Sequence, residues 1–377
     1  VALSALSVAV AVAAVLARYL SRQQRLTRAA NAAAESAERR LQAMGSYTLL
    51  HQLGSGGMGT VWKAEHQMLA RPAALKLINF ATLGYGDGER AQAQERFERE
   101  AKATARLRSR NTVTLYDYGV AADGSFYYAM ELLDGLDLDR LVTEFGAQGA
   151  GRVVPILIQI CNSLAEAHAQ GLVHRDIKPA NIYLCRLGTE VDVVKVLDFG
   201  LVTERTRPDA RASGPGVVRG TPAFMAPEQA QSRAIDGRTD LYAVGCVAYW
   251  LLTGRTVFDD NDPMAAMVDH ITLAPTPIAS RVPSLPDGLA TIVMTLLAKD
   301  PAQRPADAGA VIDALHAVRL PADQAWRPDA ANAWWAKHRP VSAKPDTDDL
   351  VVPTVHRTVM PVSISVGVSG GAGAELI

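Results

Sequence analysis

The sequence predicts a globular protein that contains both strands and helices, and three observations lead to this prediction. The chain has 377 residues, of which 49% are hydrophobic and 20% are charged, and its net charge is −1. These values allow two to three compact units with a large core. They exclude general disorder and a nucleic-acid-binding polycation. A glycine-rich loop between β-type runs and a later run with helical periodicity indicate that both strands and helices occur.

The N-terminal residues predict a membrane anchor. Residues 1–17 carry no charge, and Arg18, Arg22, Arg25 and Arg28 follow them. As a helix this run reaches only about 25 Å, so we expect a truncated transmembrane segment that upstream residues complete. A cleaved signal peptide fits less well because no basic region precedes the apolar run. The positive-inside rule then places a single-pass protein in the cell membrane with the rest of the chain in the cytoplasm. An apolar helix packed on a partner is the alternative.

A helical linker and a less regular C-terminal region flank the central part. Residues 18–46 are rich in Ala, Arg, Gln and Glu, which favours a juxtamembrane helix. Two copies of this helix could pair as a coiled coil, although the run is short and its candidate contact positions are mostly alanine, so a homodimer is an open alternative. Residues 321–340 hold Trp326, Trp334 and Trp335. They predict a short helix docked by its indoles, with a partner-binding site as the alternative. Residues 341–377 lack aromatic side chains, and we expect them to be largely disordered.

The cysteine pattern points to buried thiols. Cys161, Cys185 and Cys246 are spaced too widely for a zinc site or a disulfide framework. We therefore expect each one to be a small buried hydrophobe in a reducing compartment.

The first chemical signal is a glycine-rich loop. Its residues are Gly54, Ser55, Gly56, Gly57, Met58 and Gly59. In a dinucleotide-binding unit the third glycine opens a helix, whereas here Thr60, Val61 and Trp62 continue as a strand. The loop therefore joins two strands, and its backbone N–H groups can approach the oxygens of a triphosphate. A merely flexible hairpin is the alternative.

A lysine and a glutamate follow at suggestive positions. Lys76 lies within the apolar run from Ala73 to Ile78, where a lysine must find an anion. Residues 95–107 have helical periodicity, with Phe97 and Ala101 on one face and Glu100 close to it. Glu100 is the natural partner for Lys76, and a solvated carboxylate on the helix surface is the alternative.

The decisive residues form a series of short motifs. They are His174-Arg175-Asp176-Ile177-Lys178-Pro179-Ala180-Asn181, then Asp198-Phe199-Gly200, then Ala226-Pro227-Glu228. With these motifs the chain resembles the bacterial eukaryotic-like Ser/Thr protein kinases over about residues 47–320. The resemblance implies a bilobal protein kinase fold of the α+β class, with a small antiparallel β lobe at 47–133 and a larger α-helical lobe at 134–320.

The resemblance also implies chemical roles. Lys76, held by Glu100, would bind the α- and β-phosphates of ATP, and Asp198 and Asn181 would ligate Mg²⁺, with Mn²⁺ as another usable ion. Asp176 would accept the proton of the attacking hydroxyl, and Lys178 and Thr221 would assist it. The implied ATP contacts are Leu53, Gly54, Ser55, Gly56, Gly57, Met58, Gly59, Val61, Lys76, Met130, Glu131 and Leu133. The structural roles it implies are a bracing His174, an Asp240 that accepts hydrogen bonds from the catalytic loop, and a Glu228–Arg304 ion pair.

The segment between Asp198 and Glu228 predicts regulation. It is long and polar, and Arg175 places a cation directly before Asp176. A phosphate on Thr206 or Ser213 could dock at Arg175 and order the segment. We therefore expect autophosphorylation, which could occur in trans within a homodimer; a segment that needs no modification is the alternative.

Two other function classes are weighed against transfer to Ser or Thr of protein substrates. An inert ATP-binding scaffold, or pseudokinase, would be expected to lack Lys76, Asp176 or Asp198, and all three are present. A small-molecule phosphotransferase could share the catalytic loop. However, the segment GTPAFMAPEQ and Arg304 resemble those of enzymes that dock polypeptide.

Overall fold

The computed structural model describes residues 43–56, 59–78, 87–121, 125–199, 222–258 and 262–339. The predicted membrane segment at 1–17, most of the linker at 18–46 and the tail at 341–377 lie outside these residues. Within the described ranges, none of the helices combines the length and the apolar character that a bilayer crossing needs.

The small lobe is an antiparallel sheet with one helix. The sheet has six strands in the order β1-β2-β3-β4-β6-β5. Strands β2 and β3 pair from Tyr47↔His66 to Gly56↔Gly59, so the glycine-rich loop joins two strands, as predicted. The elements are β1 (Ala43–Met44), β2 (Tyr47–Gly56), β3 (Gly59–His66), β4 (Arg71–Ile78), α1 (Asp87–Thr104), β5 (Leu115–Val120) and β6 (Phe126–Glu131).

The large lobe is mainly helical. It begins with strand β7 at Asp134, and two residues separate this strand from the end of β6 at Glu131. Strands β7, β8 and β9 form a three-stranded antiparallel sheet. The elements are β7 (Asp134–Asp137), α2 (Leu138–Phe145), α3 (Ala150–Ala169), β8 (Ile182–Leu187), β9 (Glu190–Val196), α4 (Pro227–Ala230), α5 (Gly237–Thr253), α6 (Pro263–Thr272), α7 (Ile278–Arg281), α8 (Asp287–Leu296), α9 (Ala308–His316) and α10 (Pro328–His338).

Apolar periodicity explains the cores. Alternate residues of β4 face opposite sides of the sheet, so Ala74 packs toward the cleft while Ala73 and Leu75 pack on the other face. In the large lobe, α3 and α5 are apolar on nearly every side and lie buried in one continuous core. All three cysteines are free and buried, as predicted. Burial raises the pKa of Cys161 and Cys185 to about 12.

A buried aspartate begins helix α2. The side chain of Asp137 accepts the backbone N–H of Arg140 at 2.8 Å, which caps the helix. Burial raises the pKa of Asp137 to about 6. Because the folded state then holds a proton that the unfolded state has lost, stability falls as pH rises through the range between the usual carboxyl pKa and about 6.

Asp137→Asn is therefore expected to stabilise the fold at high pH. The amide keeps the cap but carries no charge, so the free energy of unfolding should rise by about 1–3 kcal/mol at pH 8 and by less at pH 4.5. Urea unfolding at the two pH values measures this. Asp287→Asn, at an exposed position in α8, is the control. It should change the free energy of unfolding only slightly, and by the same amount at pH 4.5 and pH 8. A gain at pH 4.5 equal to that at pH 8 would contradict the prediction.

The C-terminal helix α10 packs on the large lobe through one buried carboxylate. The carboxylate of Asp192, in β9, accepts hydrogen bonds from Nε and Nη2 of Arg152. It also accepts hydrogen bonds from the indole N–H groups of Trp326 and Trp335, both at 2.7 Å. The guanidinium of Arg152 also lies over the ring of Trp334, at 4.1 Å from its centroid. We call Asp192, Arg152, Trp326 and Trp335 the Asp192 anchor. The indoles therefore dock the helix on the lobe, as the docked-helix interpretation expects.

Candidate active site

A cleft lies between the two lobes. Its lining combines Ala74 of β4, Met130 and Glu131 of β6, and Tyr183 of β8 with Leu133, which lies between β6 and β7, and Leu197, which directly follows β9. Val61 is buried in the same apolar cluster, and Leu53 packs against it. The structure thus brings together Leu53, Val61, Met130 and Leu133, which the sequence analysis assigned to ATP. Glu131 N–H donates to Thr114 O at 3.0 Å, so a purine could use only the carbonyl among the backbone groups of Glu131.

The strands beside the glycine-rich loop approach closely. Gly54 pairs with Val61 and Ser55 with Thr60, directly beside the cleft. Gly59 has φ +147°, and a Cβ there would lie 1.8 Å from Leu77 O, so only glycine fits between the strands. Gly57 and Met58 lie outside the described residues.

Lys76 and Asp198 meet in the cleft. Lys76 Nζ donates to Asp198 Oδ2, and the phenol of Tyr128 donates to Asp198 Oδ1. Burial alone would raise the pKa of Asp198, but the charge of Lys76 and these two hydrogen bonds outweigh it and lower that pKa. Burial, and then the charge of Asp198, raise the pKa of Tyr128 well above its usual value. Asp198 is therefore held as a carboxylate between two donors.

A short loop arranges the polar side chains around Asp176. Lys178 Nζ donates to Asp176 Oδ2 at 2.8 Å and to Oδ1 at 3.1 Å. Asn181 Nδ2 donates to Asp176 Oδ2 at 2.9 Å and to the Asp176 carbonyl at 2.8 Å. Leu197 N donates to Asn181 O at 2.9 Å, which brings the Asn181 loop next to the segment that carries Asp198.

Buried polar groups brace this loop, as the resemblance implied. Asp240, on α5, accepts the backbone N–H groups of His174 and Arg175, both at 2.8 Å. His174 Nε2 lies 2.7 Å from Leu197 O, and its ring packs on Phe199 with centroids 4.6 Å apart. Arg175 in this loop has φ +68°, and Asp198 in the neighbouring segment has φ +57°, so both residues lie in the left-handed region although they carry side chains.

The ion pair of Glu228 and Arg304 joins α4 to the segment before α9. Arg304 donates to both carboxylate oxygens of Glu228, at 2.7 and 2.9 Å, and Thr239 Oγ1 donates to Glu228 Oε1 at 2.9 Å. Burial would raise the pKa of Glu228, but the hydrogen bonds and charge of Arg304 lower it. The pair is buried and fully hydrogen-bonded, which is the arrangement that makes a buried ion pair tolerable.

The donor set fits a magnesium nucleotide. Within the described part of the chain, no three His, Cys, Asp or Glu side chains are grouped so as to hold a metal ion by themselves. Mg²⁺ is usually bound by one or two protein oxygens, with water and phosphate oxygens completing the shell. Asp198 provides a carboxylate. Because the amide nitrogen of Asn181 is used by Asp176, its oxygen is the atom that can meet a cation.

Comparison with known proteins identifies the family. The model of the protein kinase domain matches residues 47–316. This chain belongs to the protein kinase family. Its kinase domain is 38% identical over 270 residues to the serine/threonine-protein kinase pkn3 of Myxococcus xanthus, covering 71% of this chain and 48% of the relative. It is 39% identical over 273 residues to Pkn1 of the same organism, covering 72% and 38%. The probable serine/threonine-protein kinase PknB of Corynebacterium glutamicum is 35% identical over 265 residues, covering 68% and 40%.

The kinase chain spans half or less of the length of these curated relatives. The matches confirm the predicted bilobal protein kinase fold and the resemblance to bacterial Ser/Thr kinases.

The predicted roles of four further site residues stay predictions. Thr221, Thr206 and Ser213 lie outside the described residues. Glu100 is half-buried on α1, and its predicted pairing with Lys76 stays a prediction, because the described partner of Lys76 is Asp198.

Two contacts at the kinase cleft were missed by sequence reasoning. One is the hydrogen bond from Tyr128 to Asp198. The other joins the end of β6 to β9: Lys195 Nζ lies 2.7 Å from Glu131 Oε1, and both side chains are largely buried. Strand alternation could have indicated the first, since Tyr128 is two residues from Met130 and so lies on the same face of β6.

Proposed function

We propose that this chain transfers the γ-phosphoryl group of Mg-ATP to Ser or Thr hydroxyls of proteins. The observation that carries the proposal is a connected set of polar contacts: Lys76 donates to Asp198, Lys178 and Asn181 donate to Asp176, and the hydrogen bond from Leu197 N to Asn181 O brings the two groups next to each other. Family membership and the names of the relatives support the same reaction and the same acceptor residues.

The mechanism follows from these positions. Lys76 would bring a positive charge to the nucleotide phosphates, and Asp198 and Asn181 would provide oxygen ligands for the metal. Bound Mg²⁺ would neutralise charge on the β- and γ-phosphates. Asp176, oriented by Lys178 and Asn181, accepts the proton of the substrate hydroxyl. Lys178 is nearly buried, so its charge is poorly screened and would stabilise the transferring phosphoryl group.

Phosphoryl transfer by the purified chain tests the proposal. With Mg²⁺ and γ-labelled ATP, label should appear on Ser and Thr, and not on Tyr, of an added protein mixture. Lys76→Met should lower kcat/KM about 100-fold, which corresponds to ~3 kcal/mol for one lost charge at a partly buried site. Lys102→Met, an exposed lysine on α1, is the matched control and should act within two-fold of the parent. Equal labelling by the parent and Lys76→Met would reject the mechanism, and nucleotide binding without any transfer would favour the pseudokinase.

We propose autophosphorylation of Thr206 or Ser213 as the activating step. The support is the density of Ser, Thr and Arg in the segment from Asp198 to Glu228 and the position of Arg175 directly before Asp176. Peptide mapping after incubation with ATP should find phosphate between Leu201 and Gly220, and its absence there would contradict the proposal. Second-order dependence of the rate on protein concentration would indicate transfer between two copies.

We also propose that residues 1–17 tether the kinase to the cell membrane with the domain in the cytoplasm. The uncharged run followed by four arginines supports this topology. The expressed chain should sediment with membranes and resist extraction by salt. Recovery in the soluble fraction would contradict the tether.

A further inference from the structure

Among the described residues that donate hydrogen bonds to the Asp198 side chain, Tyr128 is the one to which the proposed mechanism gives no role. Its side chain is about 1% exposed, and its hydroxyl donates to Asp198 Oδ1 while Lys76 occupies Oδ2. The two donors come from paired residues, since Lys76 in β4 is the cross-strand partner of Tyr128 in β6. The sheet therefore delivers both donors to one carboxylate as a rigid unit.

The surroundings of Tyr128 fix its hydroxyl. Its ring packs beside Phe97 of α1, with centroids 6.3 Å apart, and lies in the apolar cluster with Ala74, Ile78 and Met130. A phenol whose ring is enclosed in this way has little rotational freedom, so its single hydrogen bond is directional. The carboxylate that it holds belongs to a residue in the left-handed region, next to the fully buried Phe199.

We propose that Tyr128 is a positioning residue that orients the Asp198 carboxylate for the metal ion of the nucleotide complex. This inference rests on the proposed function, because it takes Asp198 as a metal ligand. A carboxylate offers about four lone-pair sites on its two oxygens. Tyr128 and Lys76 each take one, on different oxygens, so each oxygen keeps a lone pair for a hard cation while the plane of the group is fixed at two points.

The loss of Tyr128 and the loss of Lys76 should have different effects on nucleotide binding. Lys76 carries a charge and is predicted to contact phosphate as well, so its loss would change nucleotide binding with or without metal. Tyr128 contributes a neutral hydrogen bond to Asp198 alone in the described contacts. Its loss should therefore be visible only when the metal ion contributes to binding. A carboxylate that is already aligned loses no further freedom when the metal ion binds. The hydrogen bond from Tyr128 should therefore raise the affinity for the metal–nucleotide complex.

Tyr128→Phe tests the inference, because it removes only the hydroxyl. The measurement is the dissociation constant of a fluorescent ADP analogue, taken with Mg²⁺ and again with EDTA, so the readout is binding and not turnover. We expect a 5- to 20-fold weaker affinity with Mg²⁺ and a change of less than two-fold with EDTA, the size of one hydrogen bond to a charged group. Kinetics should show a raised KM for Mg-ATP.

Two further variants serve as controls for the binding experiment with Tyr128→Phe. Tyr127→Phe removes a hydroxyl from the next residue, on the opposite face of β6, and should leave both constants unchanged. Asp198→Asn should abolish the gain that Mg²⁺ gives. Thermal unfolding checks that Tyr128→Phe is folded.

Three results would overturn the inference. They are an unchanged affinity in Tyr128→Phe, an equal loss with Mg²⁺ and EDTA, which indicates packing, and a tighter affinity with Mg²⁺, which indicates competition with the metal. A parent chain whose affinity does not respond to Mg²⁺ would remove the metal role of Asp198, and the proposed function would fail together with the inference.

Discussion

Asp176→Asn is expected to lower kcat for phosphoryl transfer by about 1,000-fold, within the range of 10² to 10⁴ typical of a lost general base. The amide cannot accept the proton of the attacking hydroxyl. It can still place its oxygen where Oδ2 now accepts Lys178 and Asn181, so the loop geometry should survive. The affinity for Mg-nucleotide should change less than two-fold, because the predicted nucleotide and metal ligands remain. The expected signature is a loss in kcat with little change in nucleotide binding.

Single-turnover transfer and equilibrium binding of the fluorescent ADP analogue measure the two quantities separately. Asp287→Asn, the same chemical change at an exposed position in α8, controls for preparation and should retain full turnover. If Asp176→Asn weakened nucleotide binding in proportion to its lost turnover, Asp176 would act in binding and the proton-acceptor role would be wrong.

The catalytic residues were assigned through the resemblance to the kinase family, and their short spacing explains why they lie close together. Asp176, Lys178 and Asn181 lie within six residues of one loop, and the structure joins them by direct hydrogen bonds. The glycine-rich loop was predicted to join two strands, since the residues after Gly59 show strand character immediately. The extent of helix α1, Asp87–Thr104, was less predictable, because the expected helix began at residue 95 and its polar first turns carry no apolar period.

Contacts between distant segments could not be predicted in the same way. Tyr128 and Asp198 are 70 residues apart in the sequence. Asp192 accepts hydrogen bonds from Trp326 and Trp335, which are 134 and 143 residues away from it. In the sequence Asp192 is an ordinary polar residue within a strand hairpin. Only the fold shows that its carboxylate is the acceptor for the docked helix, because burial and partner choice depend on how the elements pack.

The Asp192 anchor leads to the largest expected change in stability. Asp192→Ala should lower the free energy of unfolding by about 3–5 kcal/mol, the cost of breaking a buried ion pair by removing one partner. The guanidinium of Arg152, about 2% exposed, would lose its counter-charge, and the indoles of Trp326 and Trp335 would lose their acceptor. Three of the five tryptophans lie between residues 321 and 340, so tryptophan fluorescence during urea unfolding reports directly on this region.

A double variant separates the charge from the packing. If most of the cost is the stranded guanidinium, Arg152→Met combined with Asp192→Ala should be more stable than Asp192→Ala alone, because no buried charge then remains. Gly151→Ala provides an independent test of docking: a Cβ there would lie 1.8 Å from Gln324 O, so the residues before α10 must move while the ion pair stays intact. This variant should shift the tryptophan emission to the red at low urea. Additive losses in the double variant, with no early fluorescence change in Gly151→Ala, would mean that the extension contributes little to the stability of the kinase domain.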